Sequence, residues 1–204
     1  MVRTGPVITM IAQLALLALL SGSVGLSAGA WVVGVVYGLV VNGVLAAGLA
    51  RSGATVLGPA NAVTMGRSVL VGAVAALVTD SFIGSGSVPA IVVLAAIALY
   101  LDAVDGRVAR RTRSASPVGA IFDQEIDAFL ILVLSVYVAN SIGLWVLAIG
   151  LARYAYLAAG FLLPWLREPL PPRYWTYFRT WVALGIPAFI AFVFIFWFMV
   201  SKPI

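Results

Sequence analysis

Five of the seven acidic residues lie in one stretch, Leu101–Leu130, of a chain that otherwise avoids charge. On a helix of about 100° per residue, a spacing of three places Asp102 and Asp105 on one face, and a spacing of four does the same for Asp123 and Asp127. We expect two consecutive antiparallel helices, joined by a loop of about fifteen residues, to bring all four carboxylates together.

Four crowded carboxylates at the edge of a membrane need counter-charge, since each would otherwise cost up to about 2.5–3.5 kcal/mol. Two interpretations stay open: nearby arginines neutralise them as a structural network, or divalent cations bind among them. The chain has no histidine and no cysteine, which excludes histidine-bound zinc, a histidine base and a thiol nucleophile. All-oxygen ligation favours Mg²⁺ or Mn²⁺, then Ca²⁺. Glu125 points elsewhere, and we expect a solvated charge or a salt bridge to a loop arginine.

The residues between the aspartates are suited to a diphosphate. Gly106 removes a side chain directly after Asp105, so a ligand can approach the backbone closely. Ala109 keeps the same face shallow, and Arg110 offers a planar fork for phosphate oxygens.

These residues form a pattern with fixed spacing, Asp102-x2-Asp105-Gly106-x2-Ala109-Arg110-x8-Gly119-x3-Asp123-x3-Asp127. The pattern resembles the signature of the CDP-alcohol phosphotransferase family. Upstream, "PANAVTMGR" (Pro59–Arg67) is similar to the Asn/Asp-x-x-Thr entry to the first core helix of that family. The resemblance covers roughly Gly58–Leu166.

The resemblance implies a membrane enzyme of phospholipid biosynthesis. Such enzymes transfer a substituted phosphate from a CDP-linked donor, commonly the lipid CDP-diacylglycerol, to the hydroxyl of a small acceptor alcohol, and they release CMP. By the same resemblance two divalent cations, Mg²⁺ or Mn²⁺, would be held by Asp102, Asp105, Asp123 and Asp127, and Asp127 would also be the catalytic base. The donor would be bound by Asn61, Thr64, Gly106, Ala109, Arg110 and Ser116. The acceptor alcohol is not indicated.

The composition shows what must position these residues. With 63% hydrophobic and 9% charged residues the chain is an integral membrane protein, since apolar runs of about 18 or more residues predict spanning helices. We predict an all-α, polytopic transmembrane bundle of about seven spans: Pro6–Leu20, Leu26–Ala50, Ala62–Asp80, Val88–Asp102, Val118–Ala139, Ile142–Trp165 and Trp181–Val200. The first also has the basic start and apolar middle of a signal peptide, but a retained span is favoured because the next segment is already apolar.

Arginines fall on alternate loops, in three groups. The first group flanks the early spans, the second follows the fourth span and the third follows the sixth: Arg3, Arg51 and Arg67; Arg107, Arg110, Arg111 and Arg113; Arg167, Arg173 and Arg179. The positive-inside rule then places the N-terminus and the aspartates at the cytoplasmic face of the cell membrane. The net charge of +5 indicates topology and contact with anionic lipids, and nucleic acid is not an expected partner.

The chain is predicted to have two parts. Residues 1–57 would form an accessory pair of helices, with Gly34 and Gly38 spaced for close helix contact. Residues 58–204 would form the phosphotransferase core. That core shows five spans where the family usually has six, so its last part, residues 173–204, is atypical, and homodimerisation stays open.

Arg153 is a buried charge on the sixth span, and an intramembrane arginine indicates function. It would be a counter-ion to the aspartates or a contact to a charged acceptor. Two alternatives to the phosphotransferase remain: an aspartate-rich intramembrane prenyltransferase, and a non-catalytic homologue that binds cations or lipid.

Overall fold

The computed structural model describes residues 4–52, 59–83, 86–112 and 117–167, together with Tyr174, residues 178–180 and residues 182–183. Every regular element in these ranges is helical. The α-helices are α1 (Thr4–Val24), α2 (Ala28–Ser52), α3 (Pro59–Ser81), α4 (Val88–Thr112), α5 (Pro117–Ile142) and α6 (Leu147–Leu162). Short 3₁₀ turns at Leu144–Val146 and Pro164–Arg167 flank α6.

The predicted membrane bundle is confirmed in the described ranges. Five helices are long and apolar enough to cross a bilayer, in the segments Gly5–Val24, Ala28–Gly48, Ala62–Ser81, Gly119–Ile142 and Leu144–Leu162. A shorter apolar segment, Val88–Asp102, forms the first part of α4 and matches the fourth predicted span. The seventh predicted span, Trp181–Val200, lies outside the described residues apart from residues 182–183.

Helix α3 is the centre of the bundle, and it packs against α1, α2, α4 and α5. Its middle consists of small and β-branched residues, and Val71, Ala73, Val74 and Ala76 are completely buried. Small side chains let neighbouring helices approach closely, which is the main source of helix association in a bilayer. The elements that carry the aspartates, α4 and α5, are therefore held against one rigid helix.

The predicted role of glycine in the accessory pair is seen between α1 and α2. A Cβ atom on Gly34 would lie 2.8 Å from Leu17, and one on Gly38 would lie 3.1 Å from the sulfur of Met10. Both contacts are tighter than side chains ordinarily allow, so glycine lets α1 and α2 lie close together, and a larger residue would displace the ends of the Leu17 or Met10 side chains.

The start of α2 is fixed by α3. The buried carboxylate of Asp80 accepts a hydrogen bond from the backbone N–H of Ser27, at 2.9 Å. The Ser27 hydroxyl accepts one from the N–H of Ala30, at 3.3 Å, as a helix N-cap does. The accessory pair is therefore tied to α3 by a specific polar contact as well as by packing.

Two expectations about the helix ends were wrong. Helix α4 continues to Thr112 and α5 begins at Pro117, so only residues 113–116 lie between them, where a loop of about fifteen residues had been expected. The part of α4 that follows Asp102 contains arginine and alanine residues, which are good helix formers. An α-helix forms its backbone hydrogen bonds internally, so it can continue beyond the apolar segment. The sixth span does not begin at Ile142, because Ile142 is the last residue of α5. Gly143 follows it with a φ of 117°, which breaks the helix.

The chain divides into two compact units, Met1–Tyr154 and Ala155–Ile204. All the side chains of the site described below belong to the first unit.

Candidate active site

Three of the four predicted aspartates come together. Asp102 is on α4, and Asp123 and Asp127 are one turn apart on α5. One carboxylate oxygen from each can be chosen so that all three lie within 4.8 Å of one another. The predicted spacing of four on α5 therefore does place two carboxylates on one face, where they meet Asp102.

The three carboxylates meet around Arg67 of α3. Its Nη1 lies 2.9 Å from Oδ1 of Asp102 and 2.5 Å from Oδ1 of Asp123, and its Nη2 donates to Oδ1 of Asp127. The Arg67 side chain is 1% exposed, while the aspartates are partly exposed. Neutralisation by arginine, the interpretation that stayed open beside metal binding, is therefore seen here. The arginine comes from α3.

Sequence analysis had interpreted Arg67 only as a marker of topology. One signal could have identified it. Arg67 is the single charged residue in the first half of α3, on a helix most of whose residues are apolar. Thr64 and Ser68, one turn before and one residue after, are buried as well, so this face of α3 points into protein.

Arg153 of α6 forms a salt bridge with Glu125 of α5, with Nη2 2.5 Å from Oε1. The expected partner of Glu125 was a loop arginine or water, and the structure instead gives it an arginine within the bundle. The buried Nε of Arg153 has no hydrogen-bond partner among the described residues. A buried donor without a partner is costly, and it suggests that a ligand satisfies it.

A small cavity of about 180 Å³ joins Arg153 to the aspartates. Asp127 and Arg153 both line it, and the rest of its wall comes from Gln124, Ala128 and Ile131 of α5 and Ile149 and Gly150 of α6. Gly150 allows α6 to lie against α5 here, because a Cβ on it would be 2.8 Å from Cα of Leu132.

A larger cavity of about 900 Å³ lies between α2 and α5. Its wall is apolar over most of its length, with Val36, Val40 and Val44 among the residues from α2. On α5 its lining extends from Ile121 to Phe129, the same stretch of helix that carries Asp123 and Asp127. Tyr37 of α2 stacks on Phe129 with ring centroids 4.8 Å apart, and so joins the accessory pair to the core.

The remaining predicted site residues are only partly described. Thr64 is buried on α3, one turn before Arg67. Ser116 lies outside the described residues. For five further predicted residues the structure describes the helix but not the side chain: Asn61 on α3 and Asp105, Gly106, Ala109 and Arg110 on α4. Helix α4 therefore carries these four in continuous helix after Asp102.

The donor set around Arg67 is suited to a hard divalent cation. It offers oxygen atoms alone, from three carboxylates close enough to share one ion. Carboxylates also carry formal negative charge, so the cluster attracts a divalent cation.

The chain is similar to known proteins over most of its length. The CDP-alcohol phosphatidyltransferase family matches residues 57–203, more than two thirds of the chain. A human protein, ethanolaminephosphotransferase 1, is 35% identical over 74 residues. That alignment covers 34% of this chain and 19% of the human protein, so it concerns about a fifth of the human protein's length. No solved structure matches the chain. The chain belongs to the CDP-alcohol phosphatidyltransferase family, whose members are transferases of substituted phosphate groups.

Proposed function

We propose that the protein transfers a phosphatidyl group from a CDP-linked lipid, such as CDP-diacylglycerol, to the hydroxyl of a small alcohol, with release of CMP. The observation that carries this proposal is the convergence of Asp102, Asp123 and Asp127 at the spacing of the family signature. The family match, which begins at residue 57, gives no support to a prenyltransferase.

The aspartates are proposed to hold two divalent cations, Mg²⁺ or Mn²⁺, with Asp105 as the fourth ligand. Divalent cations bound there would neutralise the diphosphate and stabilise charge on the transferred phosphorus. Thr64 lies on α3 facing the protein interior, and with Asn61, Gly106, Ala109, Arg110 and Ser116 it would bind the nucleotide.

In the reaction the acceptor oxygen attacks the phosphorus that carries the diacylglycerol. A new P–O bond forms as the bond to the CMP oxygen breaks, and CMP leaves. Asp127 takes the proton of the acceptor hydroxyl as its oxygen becomes bonded to phosphorus. Its position in the wall of the small cavity supports this role, because a base must lie within hydrogen-bond reach of the proton it removes.

The small cavity is proposed to bind the acceptor. At about 180 Å³ it lies below the roughly 300–1,000 Å³ of sites for drug-sized ligands, which suits a small alcohol. Arg153 would donate from its free Nε to an oxygen of the acceptor. A phosphorylated acceptor, such as glycerol 3-phosphate or inositol phosphate, would gain most from that contact.

The larger cavity supports a lipid donor. An apolar space at the membrane depth of Asp123 and Asp127 would hold an acyl chain while the diphosphate lies at the aspartates. One wall belongs to α2, so the accessory pair, residues 1–57, would help to bind the donor lipid. The core would be residues 58–204.

We propose that the site faces the cytoplasm in the cell membrane, as the arginine distribution indicates. The chain has no cysteine, so a single introduced cysteine can be labelled specifically. In right-side-out vesicles an impermeant thiol reagent should label Phe82→Cys and leave Arg51→Cys unlabelled. The reverse pattern would place the site on the other face.

A second arrangement is favoured by the human relative, which is named as an ethanolamine phosphotransferase. Here the CDP-linked donor would carry a small alcohol, and a lipid would be the acceptor. Assays of the purified protein with CDP-diacylglycerol plus small alcohols, and with CDP-ethanolamine plus diacylglycerol, separate the two. CMP release in the second assay alone would replace the proposed function by this one.

A further inference from the structure

One arginine joins three helices at the aspartate site. Arg67 comes from α3, Asp102 from α4, and Asp123 and Asp127 from α5. The guanidinium is a rigid fork with five N–H donors, so its two terminal nitrogens can serve several carboxylates in fixed directions. Arg67 therefore fixes the relative positions of the carboxylates as well as neutralising them.

Arg67 is a monovalent cation that three carboxylates share, counted over the side chains that the structure describes. A divalent cation carries twice that charge, so the same carboxylate oxygens attract it. The cation must nevertheless bind the same carboxylates beside a positive charge that is 1% exposed and poorly screened by water.

We propose that Arg67 is an internal counter-ion with two effects: it holds the three aspartates in place while no metal is bound, and it competes with the divalent cation for them. This inference rests on the proposed function for the presence of a metal at the site. It makes Arg67 a positioning residue, and it predicts that metal and arginine oppose each other in binding free energy.

Two results follow for a variant without the charge, Arg67→Gln. Its metal affinity should rise, because the carboxylates lose a competitor. A coupling of ordinary size between two sites corresponds to about 5- to 150-fold in affinity, so we expect Mn²⁺ to bind at least about tenfold more tightly. The metal-free variant should also unfold more readily, because three crowded carboxylates lose the guanidinium that they share.

The experiment uses the full chain in detergent micelles. Mn²⁺ binding is measured by the loss of the free-ion electron paramagnetic resonance signal, and thermal unfolding is followed in EDTA and in saturating Mn²⁺. The matched control is Arg179→Gln, which removes an exposed arginine that lines neither cavity and lies outside the cluster. Arg67→Lys keeps the charge but replaces the fork by a single ammonium group.

The inference predicts tighter Mn²⁺ binding in Arg67→Gln together with a larger rise in unfolding temperature on adding Mn²⁺ than the wild type shows. Arg67→Lys should keep an affinity near that of the wild type and be destabilised in EDTA, and Arg179→Gln should match the wild type in both. If Arg67→Gln folds only with Mn²⁺ present, that requirement itself supports the counter-ion role, and its affinity is then measured by competition with a chelator.

Equal or weaker Mn²⁺ binding in Arg67→Gln would overturn the inference, and the proposed function would stand as long as the wild type binds Mn²⁺. An absence of Mn²⁺ binding by both proteins would overturn the proposed metal site and the inference with it. The two failures are therefore distinguishable in one titration.

Discussion

Arg153 and Glu125 form a single salt bridge, yet the proposed acceptor site gives them unequal roles. Arg153 lines the cavity that Asp127 also lines, and its Nε has no hydrogen-bond partner within the part of the chain that the structure describes, whereas Glu125 faces the larger apolar cavity. We predict that Arg153→Gln raises the KM for the acceptor and that Glu125→Gln does not. Each substitution removes one half of the same bridge, so each serves as the control for the other.

The size of the effect follows from the exposure of the pair. A hydrogen bond to a charged group contributes about 1.5–3 kcal/mol, which is about 10- to 150-fold in binding at about 1.4 kcal/mol per factor of ten. The Arg153 side chain is 22% exposed, so water offsets part of that energy. We therefore expect the lower end, about a tenfold loss in kcat/KM for a phosphorylated acceptor.

The effect on stability should be shared. Breaking a half-buried bridge lies between the roughly 0–1 kcal/mol of a surface pair and the roughly 3–5 kcal/mol of a buried one. Both variants should lose about 1–3 kcal/mol of unfolding free energy by this reasoning.

The assay is CMP release at varied acceptor and fixed donor, with unfolding followed in parallel. If both variants lose stability equally and the acceptor KM of Arg153→Gln is unchanged, then Arg153 is only a counter-ion to Glu125. The acceptor role would then be wrong.

Three further predictions concern the base, the lipid cavity and the packing of α6. Asp127→Asn should abolish transfer, since a positioned base contributes about 10²–10⁴-fold, while binding of the CDP-linked lipid stays measurable; full activity would show that the base lies elsewhere. Val40→Trp should fill part of the apolar cavity and raise the KM for long-chain donors more than the KM for short-chain donors, and equal increases in the two KM values would argue against an acyl site. The control is Val32→Trp, on the exposed surface outside that cavity, which should change neither KM. Gly150→Ala should destabilise the protein by about 1–3 kcal/mol, because the added Cβ would meet the backbone of α5. The control is Gly43→Ala, whose added Cβ would meet nothing within 4 Å, and similar stability of the two variants in a thermal unfolding assay would contradict the packing described for α6.

The helices could be predicted from sequence because a lipid solvent demands long apolar segments with internally paired backbone. The pairing of Asp123 with Asp127 could be predicted because a spacing of four on α5 fixes them on one face whatever the surroundings. Both of these inferences depend on local periodicity alone, whereas the approach of Asp102 depends on how the helices pack.

Other features depend on contacts between distant residues and could not be predicted in that way. Arg67 is 35 residues from Asp102 and 60 from Asp127 along the chain, and only packing of α3 against α4 and α5 brings them together. The pairing of Glu125 with Arg153 likewise requires the position of α6. The end of α4 was predicted too early because hydropathy marks only where the apolar segment ends. The helix itself continues through charged residues to Thr112.

The division into an accessory pair and a core remains a prediction. The family match begins at residue 57, while the Tyr37–Phe129 stack and the Asp80–Ser27 hydrogen bond tie the pair closely to the core. We therefore expect the pair to be required for stability as well as for binding the donor lipid.

The proposed phosphatidyl transfer is tested directly by CMP release from the purified protein with CDP-diacylglycerol, with and without Mg²⁺ or Mn²⁺. The acceptor panel comprises glycerol 3-phosphate, inositol phosphate, inositol and serine. We expect metal-dependent CMP release with one acceptor and a stoichiometric phospholipid product. No release with any acceptor, from protein that binds neither CDP nor Mn²⁺, would contradict it and favour a non-catalytic member of the family.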